Sequence, residues 1–199
     1  CSNSAAPNTI VFEDYDATYS GNMNAVYARN SAITIGDGDI TMPSSYDKMA
    51  KASTNGEIVL IEVTQDGTDC TDSSAGCDVS SSSSGAIYFG GTATVKVYKL
   101  AGDGVTKQYK ADHTVQATVV DSGASLFTVG THKTDSTGEA TVWVVSGNDA
   151  GDSYTYHNLA AWGPSGQNET MWNDLWAPSG FGIGDSIELR LEPAPVSLN

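Results

Sequence analysis

In TATVKVYK (92–99) every second side chain is apolar, and the same alternation returns in TVQATVV (114–120) and DSIELRLE (185–192). Residues alternating at period two can hide one face only as a strand, because a helix would spread them around its circumference. Ala93, Val95 and Val97 therefore face inward, as do Val115, Ala117 and Val119, and then Ile187, Leu189 and Leu191. Each of these strands keeps one wet face. GEIVLIEVTQDG (56–67) is apolar on both faces, with Val59, Ile61 and Val63 on one and Ile58 and Leu60 on the other, so it belongs in the middle of a packed sheet. NTIVFE (8–13) supplies a first strand and NAVYARNSAITI (24–35) one or two more. The one helical candidate is SYDKMAKA (45–52), where Ser45 caps and Asp47 sits in the first turn.

The expected fold is all-β: an immunoglobulin-like or jelly-roll β-sandwich with at most one short helix. It forms a single domain over 9–199 behind a flexible tether at 1–8. The Ser-rich stretch 80–85 reads as a mobile loop and is the one place where an internal boundary would fall. No repeat of fixed period is visible.

KTDSTGEATVWVVSG (133–147) carries a tight turn and a strand in one piece. Asp135-Ser136-Thr137-Gly138 offers an Asx-type start and a glycine able to take positive φ, so a hairpin links FTVGTHK to EATVWVV. Residues 147–151 then turn the chain into YTYHNLAAW. This order of alternating strand, TDSTGEATV hairpin, glycine turn and Tyr-rich strand, over 92–162, resembles the immunoglobulin-like and transthyretin-like modules of prokaryotic cell-surface proteins. The resemblance implies stalks, adhesin spacers, pilus subunits or carbohydrate-associated modules, and surface work in place of catalysis. The core disulfide of an immunoglobulin domain, with a buried Trp against it, has no counterpart in the sequence.

Nine Lys and Arg against 24 Asp and Glu leave a net charge of −15, which repels a phosphate backbone or an anionic membrane surface and excludes nucleic acid as a partner. No run of 18 apolar residues is present to span a bilayer as a helix. Cys70 and Cys77 enclose six residues without the additional Cys or His a metal site needs, and read as a local disulfide in an oxidising compartment. It is expected to pin a surface loop. Cys1, at the head of CSNSAAPN, resembles the lipid-bearing first residue of mature bacterial lipoproteins, a possible lipid anchor; the alternative is an unpaired terminus.

Catalytic motifs are missing. No G-x-S-x-G elbow occurs, and His113, His132 and His157 lack i, i+2 or i, i+4 pairing, so each reads as a surface or hairpin-edge histidine. No cofactor is required. Ca²⁺ is the candidate ion, because loop carboxylates supply the hard oxygens it prefers: Glu13, Asp14 and Asp16, then Asp37 and Asp39, with Asp66, Asp69, Asp72, Asp149 and Asp152 as weaker groups. Solvated turn acids are the plainer reading. Trp162, Trp172 and Trp176 fall in a Gly- and Pro-rich stretch, where they contact a sugar or partner, or pack the loop down.

These readings lead to an extracellular or cell-surface structural protein, a subunit of a filament or pilus or an adhesive stalk, and not an enzyme. Its partners are copies of itself or other surface proteins. Thr9, Ile10, Val11 and Phe12 would form a strand donated to a neighbour's open sheet edge. The alternatives are a glycan-binding module using the tryptophans and, behind it, a secreted hydrolase.

Overall fold

The computed structural model describes residues 8–13, 17–18, 24–42, 48–70, 76–121, 124–164, 169–171 and 181–193, which contain strands and no helix. The chain is all-β, with sheets packed against one another, and divides into two compact units, Cys1–Gly91 with Val145–Ser153, and Thr92–Val144 with Tyr154–Asn199. The stretch 80–85 lies inside the first.

The first unit contains β1 (Asn8–Glu13), β2 (Ala17–Thr18), β3 (Val26–Arg29), β4 (Ser31–Thr41), β5 (Ala50–Ser53), β6 (Glu57–Gln65), β7 (Thr68–Asp69), β8 (Val79–Ser82) and the beginning of β9 (Ala86–Leu100). β1, β4, β6 and β9 are parallel neighbours in one sheet, and β3, β5 and β8 are parallel neighbours in another. From β3 onward the chain visits the two sheets in turn, apart from β7, which folds back antiparallel on β6 before β8. Parallel strands need a long crossover, and here the crossover from β4 to β6 is itself a strand of the other sheet, so the backbone winds as a coil. Ala32 lies opposite Glu57 and Glu57 opposite Ala86, giving steps of 57 − 32 = 25 and 86 − 57 = 29 residues. Steps of unequal length explain why no fixed period shows in the sequence.

The coil turns at residues that tolerate positive φ. Asn30, Thr54, Asn55 and Ser83 lie at 49°, 46°, 58° and 60°, each just after a strand of the second sheet. STNG (53–56) and SSSG (82–85) form equivalent turns: the Gly56 N–H donates to the Ser53 carbonyl at 3.0 Å and the Gly85 N–H to the Ser82 carbonyl at 3.1 Å. The Asn55 N–H donates to Ser84 Oγ at 2.9 Å, tying one turn to the next. Both glycines lie hard against the preceding coil, where a Cβ on Gly56 would meet the Ala28 carbonyl oxygen at 2.2 Å and one on Gly85 the Ala52 carbonyl carbon at 2.6 Å.

Three expectations are corrected here. Residues 50–52 of the expected helix fall in strand β5, because Ala50 and Ala52 turn their small side chains into the core while the backbone pairs with β3 and β8; residues 45–47 lie outside the described set. The Ser-rich stretch is strand β8 followed by a hydrogen-bonded turn, since serine leaves the backbone free to pair in register with β5. Cys70 and Cys77 are bonded as expected, with Cα atoms 5.6 Å apart. Yet Cys70 is fully buried beside Val63, Met49 and Phe89 in the first core, with Cys77 packed against it, so the bridge joins the core instead of a surface loop.

The second unit contains the rest of β9, β10 (Lys107–Tyr109), β11 (Thr114–Asp121), β12 (Ala124–Lys133), most of β13 (Glu139–Asn148), β14 (Tyr156–Trp162), β15 (Glu169–Met171) and β16 (Ser186–Pro193). β9 pairs with β16 in parallel and with β10 and β13, while β15, β14, β11 and β12 follow one another antiparallel. The alternating residues fill the space between these layers as expected: Val95 and Val97 meet Val115, Val142, Leu159 and Leu189. Trp143 on β13 donates its backbone N–H to His132 Nε2 on β12 at 3.4 Å, and the two rings meet edge to face at 5.0 Å. Gly130 makes room for this contact, since a Cβ there would lie 2.9 Å from His132 Nε2.

Candidate functional site

The loop carboxylates hold turns together. Asp135 Oδ1 accepts from the Thr137 N–H at 2.8 Å, the Thr137 hydroxyl at 2.7 Å and the Glu139 N–H at 3.1 Å, which is the Asx-type turn expected from TDSTG. The strands it joins are not the expected hairpin: β12 pairs with β11 and β13 with β9, because the turn carries the chain from one partner strand to another instead of folding it back on itself. Asp103 accepts from the Val105 and Thr106 N–H groups, each at 2.9 Å. Asp149 accepts from the Ile87 N–H at 3.0 Å, and Asp152 accepts from the Asn148 amide at 2.9 Å. Asp39, a candidate Ca²⁺ ligand, accepts from the Thr64 hydroxyl and from the Gly67 N–H, while Asp37 sits at a bend of β4 with φ 47°. Among the described residues no three His, Cys, Asp or Glu side chains gather as a metal ion would need.

Hydrogen bonds to an ionised carboxylate favour the charged form. The Thr137 hydroxyl, then the Glu139 and Thr137 amides, lower the pKa of Asp135, and the Thr106 hydroxyl with the amides around it brings Asp103 to about 2. A lowered folded-state pKa gives stability that is present above the unfolded value of about 3.9 and is lost as pH falls through the folded value. Burial raises the pKa of Glu57, which acts in the opposite direction as pH rises. The melting-temperature gap between the native chain and Asp135→Ala, followed by tryptophan fluorescence, is therefore expected to be open at pH 7 and to close below pH ~4. A gap independent of pH would mean that the lost bonds do not depend on the charge.

The histidines serve the fold. His113 Nδ1 lies 2.8 Å from the Ala111 carbonyl and His157 Nδ1 lies 3.3 Å from the Phe181 carbonyl. Both side chains are buried, which corrects the expectation of surface positions: a ring nitrogen of each meets a main-chain carbonyl, and the His157 ring stands edge to face with Phe181 at 6.4 Å. His132 is half-buried against Trp143.

The two outer faces of the second unit differ in kind. Outside β9, β10 and β16, charges pair with one another: Glu188 takes an ion pair from Lys107 and a hydrogen bond from the Tyr109 hydroxyl at 2.6 Å, Lys107 sits 4.8 Å over the Tyr98 ring, and Lys96 pairs with Glu139 at 3.1 Å. The hydrogen bond from Lys107, with that from Tyr109, holds the Glu188 carboxyl below its ordinary pKa. Outside β14, β11 and β12 the registers build rows of another chemistry. Trp162, Thr114 and Lys133 lie abreast at one end. Ala160, Gln116 and Thr131 form the next row, and Asn158, Thr118 and Thr128 the third. Their inward neighbours Val115, Ala117, Leu159 and Ala161 are in the core, which turns these residues outward. Lys133, at the rim, is the only charge in the three rows. The Thr118 and Thr128 hydroxyls are 3.3 Å apart, and the Trp162 side chain is 38% exposed.

Trp162 thus sits at the end of strand β14 and not in a loop. The wet positions of β11 were legible in TVQATVV; their alignment with Trp162 and Thr131 required the long-range registers. Cys1, Asp14, Asp16, Asp72, Trp172 and Trp176 lie outside the described residues, as does the side chain of Glu13. Thr9, Ile10, Val11 and Phe12 lie in β1, whose backbone pairs with β4 of its own chain from Asn8 opposite Ser31 to Glu13 opposite Gly36.

No family model and no curated protein matches the chain. A solved structure, "The Bacillus anthracis TIE protein", aligns with 58% of this chain and 19% of its own, at 14% identity and a TM-score of 0.31, a likeness on which no argument rests. The chain is placed by its class, all-β with packed layers.

Proposed function

We propose that this chain is an extracellular structural protein, a building block of a surface filament or an adhesive stalk, and that it carries out no catalysis. The observation that supports this reading most is where its reactive groups go. Asp39, Asp103, Asp135, Asp149 and Asp152 direct their oxygens to turn hydroxyls, amides and backbone N–H groups, and His113 and His157 face main-chain carbonyls. Side chains that an enzyme would hold ready for substrate are committed here to turns and cores. The buried Cys70–Cys77 bridge suits an oxidising compartment, and the net charge of −15 suits a soluble surface exposed to solvent.

Assembly through β1 would now require exchange, because β1 is paired in its own chain. Cysteines placed at Asn8 and Ser31, which face each other in register, report on it when joined by a short bis-maleimide: a ladder of covalent oligomers is the result expected of exchange, and monomer alone would sink it. Electron microscopy of native material tests the wider reading. Polymers are expected; discrete particles would overturn it.

A further inference from the structure

We infer that the outer face of β14, β11 and β12 binds a neutral polysaccharide. The inference rests on the extracellular placement proposed above and adds a ligand class to it. In a chain of net charge −15, a face that presents Gln116, Asn158, Thr118, Thr128 and Thr131 around an exposed Trp162 is chemically selective. Its amides and hydroxyls both donate and accept hydrogen bonds, as the vicinal hydroxyls of a sugar do. In these three rows its one charge is Lys133, two strands away from Trp162 at the rim, and the first row continues on the other side through Thr170 to Glu192, so a polymer carrying an anion on every residue would meet one cation and one like charge. The indole supplies the apolar plate on which the C–H face of a pyranose stacks. The opposite outer face makes the contrast: there Lys96, Lys107, Glu139 and Glu188 are paired internally, and Lys107 covers Tyr98. Adjacent strands stand about 4.8 Å apart, so successive polar side chains across β14, β11 and β12 form a ladder along which an extended polymer makes repeated weak contacts. Multiplicity, in place of one deep pocket, supplies the affinity.

The test is native affinity electrophoresis of the purified chain through gels containing dextran, laminarin, mannan or hydroxyethylcellulose, with polygalacturonate as the charged comparison. The native protein is expected to be retarded by at least one neutral polymer and not by polygalacturonate. Trp162→Ala should weaken that retardation about tenfold, as loss of one stacking contact predicts. Thr131→Glu, at an exposed position, adds a desolvation cost to the same face without touching the core, and should weaken it too while circular dichroism stays unchanged. Free mobility in every neutral gel, retardation only by polygalacturonate, or retardation that Thr131→Glu leaves intact would each overturn the inference. Because the gels use isolated protein, a negative result leaves the extracellular reading standing, and that reading fails separately if antibody cannot label the protein on intact cells.

Discussion

Gly56→Ala is expected to lower the stability of the first unit by ~3 kcal/mol or more, the range for overpacking against an unyielding neighbour. The added Cβ would lie 2.2 Å from the Ala28 carbonyl oxygen, 2.6 Å from its carbon and 2.9 Å from the Ser53 oxygen, all backbone atoms. A side chain could swing aside, but these carbonyls belong to β3 and β5, which pair in parallel through Ala28 and Ala52. Relief therefore means parting the coils. Gly102→Ala is the control: nothing lies within 4 Å of its Cβ position, and the change should stay within ~0.5 kcal/mol. All four tryptophans, at 143, 162, 172 and 176, belong to the second unit, so fluorescence follows that unit while amide hydrogen exchange in β4, β6 and β8 follows the first. Protection in those strands should fall sharply in Gly56→Ala. Unchanged protection would mean that the turn STNG is not packed against β3.

Removing the Cys70–Cys77 bridge should have the second largest effect. Closing a loop of this length restrains the unfolded chain by about 2 kcal/mol, and truncating Cys70, which is fully buried beside Met49 and Phe89, adds about 1 kcal/mol for the space left. The Cys70 N–H also donates to the Val63 carbonyl at 2.8 Å, so the bridge holds the end of the β6–β7 hairpin against the core. Cys70→Ala/Cys77→Ala is expected to melt the first unit on the order of 10 °C earlier, read by hydrogen exchange or circular dichroism. Reductant, which opens the bridge but leaves the Cys70 side chain in place, should reproduce the larger part of the shift in the native chain and add nothing to the variant. A bridge that merely tied a surface loop would show almost no shift.

Much of the fold can be read from local pattern. Alternation in TATVKVYK, TVQATVV and DSIELRLE selects the side chains that enter the second core, and TDSTG selects its turn, because both depend on neighbours within a few residues. Which strands lie on either side of that turn was not legible: β12 pairs with β11 and β13 with β9, where a hairpin between the two was expected. The stretch GEIVLIEVTQ, apolar on both faces, is indeed a central strand, β6, between β4 and β9. The first unit was harder. Asn55 with Gly56, and Ser84 with Gly85, are equivalent in the coil, yet spacing of 25 and then 29 residues hides the equivalence, and a turn that tolerates Thr-Asn or Ser-Ser leaves only Ser53, Ser82 and the glycines alike. Residues 50–52, the end of the helical candidate 45–52, pair with β3 and β8 instead, as tertiary hydrogen bonds override intrinsic preferences that differ by tenths of a kcal/mol per residue.

By itself the sequence determined the strands that alternate clearly, their buried faces, the turn at TDSTG and the disulfide, because each follows from steric and solvation preferences acting over short separations. Only the tertiary structure decided that the first unit's strands run parallel in a coil, that Cys70 belongs to a core, and that Trp162 stands abreast of Thr114 and Lys133 on a nearly uncharged face. Strand direction and register are properties of pairs, set by which distant backbones satisfy each other's hydrogen bonds while both apolar faces are covered, and no single segment contains that information.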